Sequence, residues 1–425
     1  MIVDHRSTID SRTATDPKPR RQPRLGLLAR VLIAIVAGIV CGLFFPDWLV
    51  RVFATFNGLF GNYLGFVIPL IIVGLITPAI SELGRGAGKW LGITAAIAYG
   101  STLFAGFLAY AAGMLVLPRL LEGRTAGAVT NPEDALLGPF FKVEMAPVFG
   151  VMTALVLSFL VGVALTFIKG DVVHRAMVEV REIVELVIRA TLIPLLPLYI
   201  FGIFLNMSAT GEAFTIISTF LGVVVFVFAL TVVMLLLQYT VAGTFFRQNP
   251  LVMIKTMLPA YATALGTSSS AATIPVTLRQ AERMGVSEPV ASFVVPLCAT
   301  IHLAGSTMKI TTFALTIMLL SGVPIAPAAV AGFIFMLGIT MVAAPGVPGG
   351  AIMTAAGLLS SMLGFTEPQV GLMIATYIAI DSFGTATNVT GDGAIAAVMH
   401  RLITGRGHRP AEATDAQTEP AHALA

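Results

Sequence analysis

Two stretches of this 425-residue sequence hold side chains able to do chemistry. One is Gly266–Pro275, GTSSSAATIP, in which Ser268, Ser269 and Ser270 stand in a row. The other is Asp381–Asp392, DSFGTATNVTGD, whose Asn388 and Asp392 lie seven and eleven residues after Asp381, so that all three fall close to one face of a helix. Between these stretches come His302 and Lys309, seven apart and on about one side of any helix that runs unbroken through both. Serine, histidine and aspartate are the residue types of a nucleophilic triad, so Ser268–Ser270, His302 and Asp381 could serve a hydrolase. The serines lack the GxSxG-type elbow that presents such a nucleophile. The competing chemistry is binding. Hydroxyls and free amides at a helix end hold an anion, a carboxylate holds an ammonium or a hard cation, and an imidazole can change charge near neutral pH.

The elements that position these residues are membrane helices. Hydrophobic residues make up 56% of the chain and charged residues only 11%, against about 25% charged in a soluble domain. The 41 Gly and 24 Pro suit a polytopic membrane protein. Two Cys leave no disulfide framework or cysteine-rich metal site to argue from. The net charge of +3 reflects basic ends rather than a nucleic-acid surface. Residues 1–24 are polar and Arg-rich and read as a disordered cytoplasmic tail, and 405–425 as a second one. The first apolar run begins near Leu25 and is long enough to span, so it reads as a retained helix rather than a signal peptide.

Runs of the roughly 20 apolar residues that a span requires fall at about 26–46, 54–80, 90–117, 147–168, 178–206 and 213–243, followed by 250–286, 289–321, 325–365 and 367–403. With the basic N-terminus inside, Arg85 and Lys89, then Lys169, Arg175 and Arg181, then Arg247 and Lys255 all fall on the inner side. The rule survives the second half only if 250–286, with Arg279 and Arg283, enters and leaves inside while 325–365 enters and leaves outside. The fold expected is therefore all-α: eight transmembrane helices plus two opposed re-entrant hairpins, multi-pass in the cell (inner) membrane with both termini cytoplasmic. GTSSSAATIP and PGVPGG (345–350) are the hairpin tips. Irregular backbone at membrane depth is tolerated where it lines a cavity, and two broken helices meeting from opposite faces mark an alternating-access site. Kinked ordinary helices are the plainer alternative.

The serine-rich tip with Pro275, the stretch Pro296–Ser306 (PLCATIHLAGS), PGVPGG and DSFGTATNVTGD occur in an order that resembles the dicarboxylate/amino acid:cation symporter family, the glutamate-transporter fold, from about residue 25 to 405. The resemblance implies an inverted-repeat elevator. A scaffold at about 25–80 and 146–206 holds a homotrimer, and a transport domain at about 88–118 and 211–404 carries the cargo across. It implies substrate contacts from Ser268, Ser269 and Ser270, from Val347, Pro348 and Gly349, and from Asp381, Thr385 and Asn388. Asp381 aligns with the carboxylate that takes the substrate's α-amino group, Asn388 with a residue that touches the substrate backbone, and Asp392 with a sodium-coordinating carboxylate. Asn388 and His302 complete the metal-ligand candidates.

The departures from the family pattern narrow the substrate. Where members for acidic substrates carry an Arg, this chain has Gly384, and a second bracing Arg is replaced by Ser268 and Ser382. Loss of a charge-assisted, often bidentate partner disfavours a side-chain carboxylate. The seventh-span signature Asn-Met-Asp-Gly-Thr appears as His302-Leu303-Ala304-Gly305-Ser306, so one charged sodium ligand is missing. His302 and Lys309 are the coupling candidates that stand in its place, with hydrogen-bonded packing the alternative for His302 and snorkelling the alternative for Lys309. Thr94, Tyr99, Ser101 and Thr102 on the third span include candidate ion ligands whose register the sequence leaves open. The function expected is secondary active symport of a small, neutral amino acid, driven by sodium or protons. It uses no cofactor other than a coupling Na+, and its partners are the substrate, the cation, the bilayer and sister protomers. A C4-dicarboxylate or acidic amino acid held by Lys309, and an intramembrane serine hydrolase, are the alternatives.

Overall fold

The computed structural model describes residues 27–85, 89–122, 137–211, 213–344 and 349–405. The tail 1–24, residues beyond 405, and Val347 and Pro348 of the second tip lie outside the described residues. Regular structure among the described residues is helical throughout. The first half contains α1 (Leu27–Gly42), α2 (Asp47–Arg85), α3 (Lys89–Leu120), α4 (Val151–Phe167), α5 (Val172–Val187), a π turn at Ile188–Leu192, α6 (Ile193–Ala209) and α7 (Ala213–Phe246). The second half is a series of pairs: α8 (Pro250–Thr267) with α9 (Ser270–Arg283), α10 (Glu288–Ile301) with α11 (Ala304–Leu320), α12 (Pro327–Val342) with α13 (Gly350–Leu363), and α14 (Glu367–Ala379) with α15 (Asp381–Thr404).

Three of these pairs are interrupted within the described residues. Ser268 takes the left-handed conformation at φ 49°, and Ser269 follows extended, its side chain accepting from the Ala272 N–H as an N-cap. His302 (φ −106°, ψ 98°) and Leu303 (φ −120°, ψ 46°) interrupt the path from α10 to α11. The chain bends by 63° between α14 and α15. α8 packs along α9, and α12 along α13. At 1.5 Å per residue these arms are about 21–27 Å long, shorter than the roughly 30 Å hydrocarbon core.

Among the described residues, five helical stretches are long and apolar enough to cross a membrane, or six when the bent pair is taken as one span. α1, α4, α12 and α13 are shorter apolar helices. Large apolar side chains point outward from several helices, among them Ile33, Val36, Leu160, Phe167, Leu221 and Val225. Such a surface is stable against lipid and not against water. α1, α2, α4, α5 and α6 pack chiefly on one another, whereas α7, α8, α9, α10 and α11 all pack against α15, and α3 lies along α11.

Three local expectations change. α2 begins at Asp47 rather than near 54, because the acidic side chain favours a helix N-terminus. Arg175 and Arg181, expected in an inner loop, lie within α5, an amphipathic helix whose Arg181 pairs with Glu82 at 2.9 Å. His302 and Lys309 do not share a continuous helix, since the break at His302–Leu303 turns the imidazole away from the α11 face that carries Lys309.

Candidate functional site

The polar residues of the second half converge along α11 and α15, which run antiparallel and very close. The approach requires glycine. A Cβ built on Gly305 would lie 2.7 Å from the Gly384 carbonyl oxygen and 2.7 Å from Thr387 Cβ. A Cβ on Gly384 would overlap Lys309 Cε and Nζ. Ladder-like, three pairings connect the two helices, and Asp381, Asn388 and Asp392 all turn inward as their spacing requires.

At one end sits Lys309, 1% exposed. Its ammonium donates to the carbonyl oxygens of Ile380 at 3.2 Å and Asp381 at 3.4 Å, lies 3.5 Å from Asp381 Oδ1, and stands 3.9 Å above the Tyr377 ring. Snorkelling is thereby ruled out: the stem runs into the bundle, where carbonyls, a carboxylate and a ring face replace water. The other oxygen, Asp381 Oδ2, accepts from the Gly349 N–H at the start of α13 at 2.8 Å. Gly349 has φ +76°, a conformation that glycine adopts without strain.

In the middle, Asn388 Oδ1 accepts from the Gly305 N–H at 2.8 Å, satisfying an amide of the α11 N-terminus that has no helical partner. Asn388 Nδ2 donates to Ser306 Oγ at 3.1 Å, and the Tyr377 hydroxyl is 2.9 Å from that same oxygen.

At the other end, His302 Nδ1 is 2.9 Å from Asp392 Oδ1, and Nε2 is 3.0 Å from Ser101 Oγ on α3. Gln238 Nε2 of α7 donates to Ser101 Oγ at 3.0 Å. Asp392 Oδ2 and Gln238 Oε1 are buried without a hydrogen-bond partner. These are hard oxygen donors of the kind an alkali cation takes. Among the described residues no group of three or more His, Cys, Asp or Glu converges as on a transition-metal site.

Of the residues singled out from sequence, the fold joins Asp381 to Lys309 and Gly349, and His302 to Asp392. Asn388 holds the break between α10 and α11 through Gly305 and Ser306. Thr385 Oγ1 donates to the Asp381 carbonyl at 3.2 Å, one turn back. Ser268 and Ser269 form the first tip, and Ser270 is buried at the start of α9, which packs on α15. The hydrolase triad does not form: His302 pairs with Asp392 and Ser101, and Asp381 with Lys309. Ser101 Oγ is in turn engaged by the Gln238 amide.

Sequence reasoning missed Gln238 and Tyr377 and left Ser101 unplaced. A lone carboxamide within an apolar run (LLLQYT) was a usable signal for Gln238; Tyr377 carried none.

The chain is 28% identical over 396 residues to a serine/threonine transporter SstT of Acinetobacter baumannii (strain AYE), covering 87% of this chain and 95% of that protein. The counterpart in strain SDF of the same species is 28% identical over 401 residues, with the same coverage of both chains. The sodium:dicarboxylate symporter family matches residues 27–402. With that match laid over a multi-pass helical bundle and its buried polar ladder, the chain belongs to the sodium:dicarboxylate symporter family and is a cation-coupled membrane transporter, not an enzyme.

Proposed function

We propose that this chain carries a small, neutral amino acid across the membrane together with a cation. The observation that carries this reading is a buried carboxylate, Asp381, near a position, Gly384, that has no side chain to offer a substrate and whose Cβ site is filled by the end of Lys309. A carboxylate at this depth is stabilised by an ammonium, and a zwitterion supplies one. Without an arginine in the pocket, a second, side-chain carboxylate lacks its strongest partner. The relatives' names, serine/threonine transporters, agree with a short side chain.

Ser268, Ser269 and Ser270, with Gly349 and the adjoining Val347 and Pro348, are assigned to the substrate carboxylate at the two tips, and Thr385 and Asn388 to its flank. Asp392 is assigned to the coupling cation. Its free Oδ2 supports sodium, while the His302 imidazole on Oδ1 supports a proton. That α1, α2 and α4–α6 pack chiefly on one another, and meet the remaining helices mainly through α13 and α14, supports an elevator in which α3 and α7–α15 move against them. We assign α1, α2 and α4–α6 to a homotrimeric scaffold by resemblance to the family.

A second reading places a substrate carboxylate on Lys309, whose ammonium lies where a side chain at 384 would begin. Its burial behind Asp381 makes this the weaker of the two: the carboxylate side chain is 9% exposed and the lysine 1%.

Thermal stabilisation of the purified protein, measured with a panel of amino acids and succinate in sodium or choline at two pH values, decides among these. Stabilisation by serine, threonine or alanine supports the proposal, and its dependence on sodium or on pH assigns the cation. Stabilisation by succinate and by no amino acid overturns it.

A further inference from the structure

We infer that Lys309 is an internal ammonium that occupies the amine subsite of Asp381 in the empty carrier, and that the substrate's amino group takes Asp381 from it. This rests on the assignment of Asp381 to the substrate amine. Three observations carry it. The ammonium faces the carboxylate oxygen that a substrate amine would use, at 3.5 Å, while the other oxygen is taken by the Gly349 N–H at 2.8 Å. The carboxylate contact is also the longest of the three hydrogen bonds that Lys309 makes. The carbonyls of Ile380 and Asp381, at 3.2 and 3.4 Å, and the Tyr377 ring remain when Oδ1 is given up. Finally, Lys309 is the less exposed of the two side chains, at 1% against 9%, so the carboxylate is the one nearer to an entering substrate.

The consequence lies in the return step. A symporter must bring its empty site back across the membrane, and a bare carboxylate in a low-dielectric bundle opposes that movement. Lys309 neutralises Asp381 during the return and yields it on loading. Gly384 belongs to the same device, because any side chain there would displace the ammonium. The cost is affinity, since substrate binds only the fraction of empty carriers in which Asp381 is free.

The test uses Lys309→Met and Lys309→Gln in proteoliposomes, beside Asp381→Asn. Lys309→Gln retains a donor for the Ile380 carbonyl and serves if the Met variant fails to fold. Serine or threonine, whichever stabilises the parent protein, is the probe. If Lys309 competes for Asp381, both variants bind it about tenfold tighter or more. Exchange of internal for external substrate continues, and net uptake into empty vesicles falls by about tenfold or more. A purely structural lysine would lower binding, exchange and net uptake together. Loss of binding in folded Lys309 variants, or net uptake equal to the parent's, overturns the inference. The underlying assignment fails separately: Asp381→Asn that binds substrate as the parent does removes Asp381 from the amine subsite, whatever the Lys309 variants do.

Discussion

Lys309 and Asp381 should prove energetically coupled even where no substrate is involved. Their charges stand 3.5 Å apart, with 1% and 9% of the two side chains exposed, so solvent screens them little. At an effective dielectric of about 20 that separation corresponds to an attraction of about 5 kcal/mol. Lys309→Met strands the carboxylate and Asp381→Asn strands the ammonium. Removing one partner of a buried pair typically costs about 3–5 kcal/mol. The asparagine is chosen because its carbonyl can still accept from Gly349, leaving the charge as the principal change. The double variant strands neither charge, so its destabilisation should fall short of the sum of the singles by about 3 kcal/mol or more. Reversible unfolding in detergent of all four proteins measures the cycle. Additivity within about 0.5 kcal/mol would mean the two charges do not sense each other, and the geometry argued for this end of the ladder would be wrong.

The other predictions are simpler. Gly305→Ala should destabilise by about 1–3 kcal/mol and impair transport, because its Cβ meets the rigid Gly384 carbonyl at 2.7 Å; an unchanged melting temperature would deny the close approach of α11 and α15. Ser101→Ala should cost about 1–3 kcal/mol by leaving the Gln238 amide and His302 Nε2 without their shared oxygen, and should alter the cation dependence of uptake more than substrate affinity at saturating cation. Arg181→Ala should change stability by less than about 1 kcal/mol, as its pair with Glu82 is substantially exposed, at 29% and 44%; a larger loss in detergent unfolding would give that contact a role not argued for it.

Much of the architecture was legible in the chain itself. The length of each apolar run set where most helices form, because helix formation depends on residues a few positions apart. The break at Ser268–Ser269 falls inside GTSSSAATIP, which the sequence marked as irregular, whereas that at His302–Leu303 falls inside a stretch singled out only by its family resemblance. The inward turn of Asp381, Asn388 and Asp392 also follows from spacing alone, since all three lie on one unbroken helix, α15. Which acid each cation meets was not legible. Seven residues separate His302 from Lys309 as they separate Asp381 from Asn388, but one interval contains a helix break and the other does not. That break, the antiparallel register of α11 on α15 and the closeness allowed by Gly305 and Gly384 send the imidazole to Asp392 and the ammonium to Asp381. Ser101 and Gln238 join the far end only because α3 and α7 pack there. Local propensity acts along the chain, whereas the partner of a buried charge is chosen by packing across it, which no short window of sequence contains.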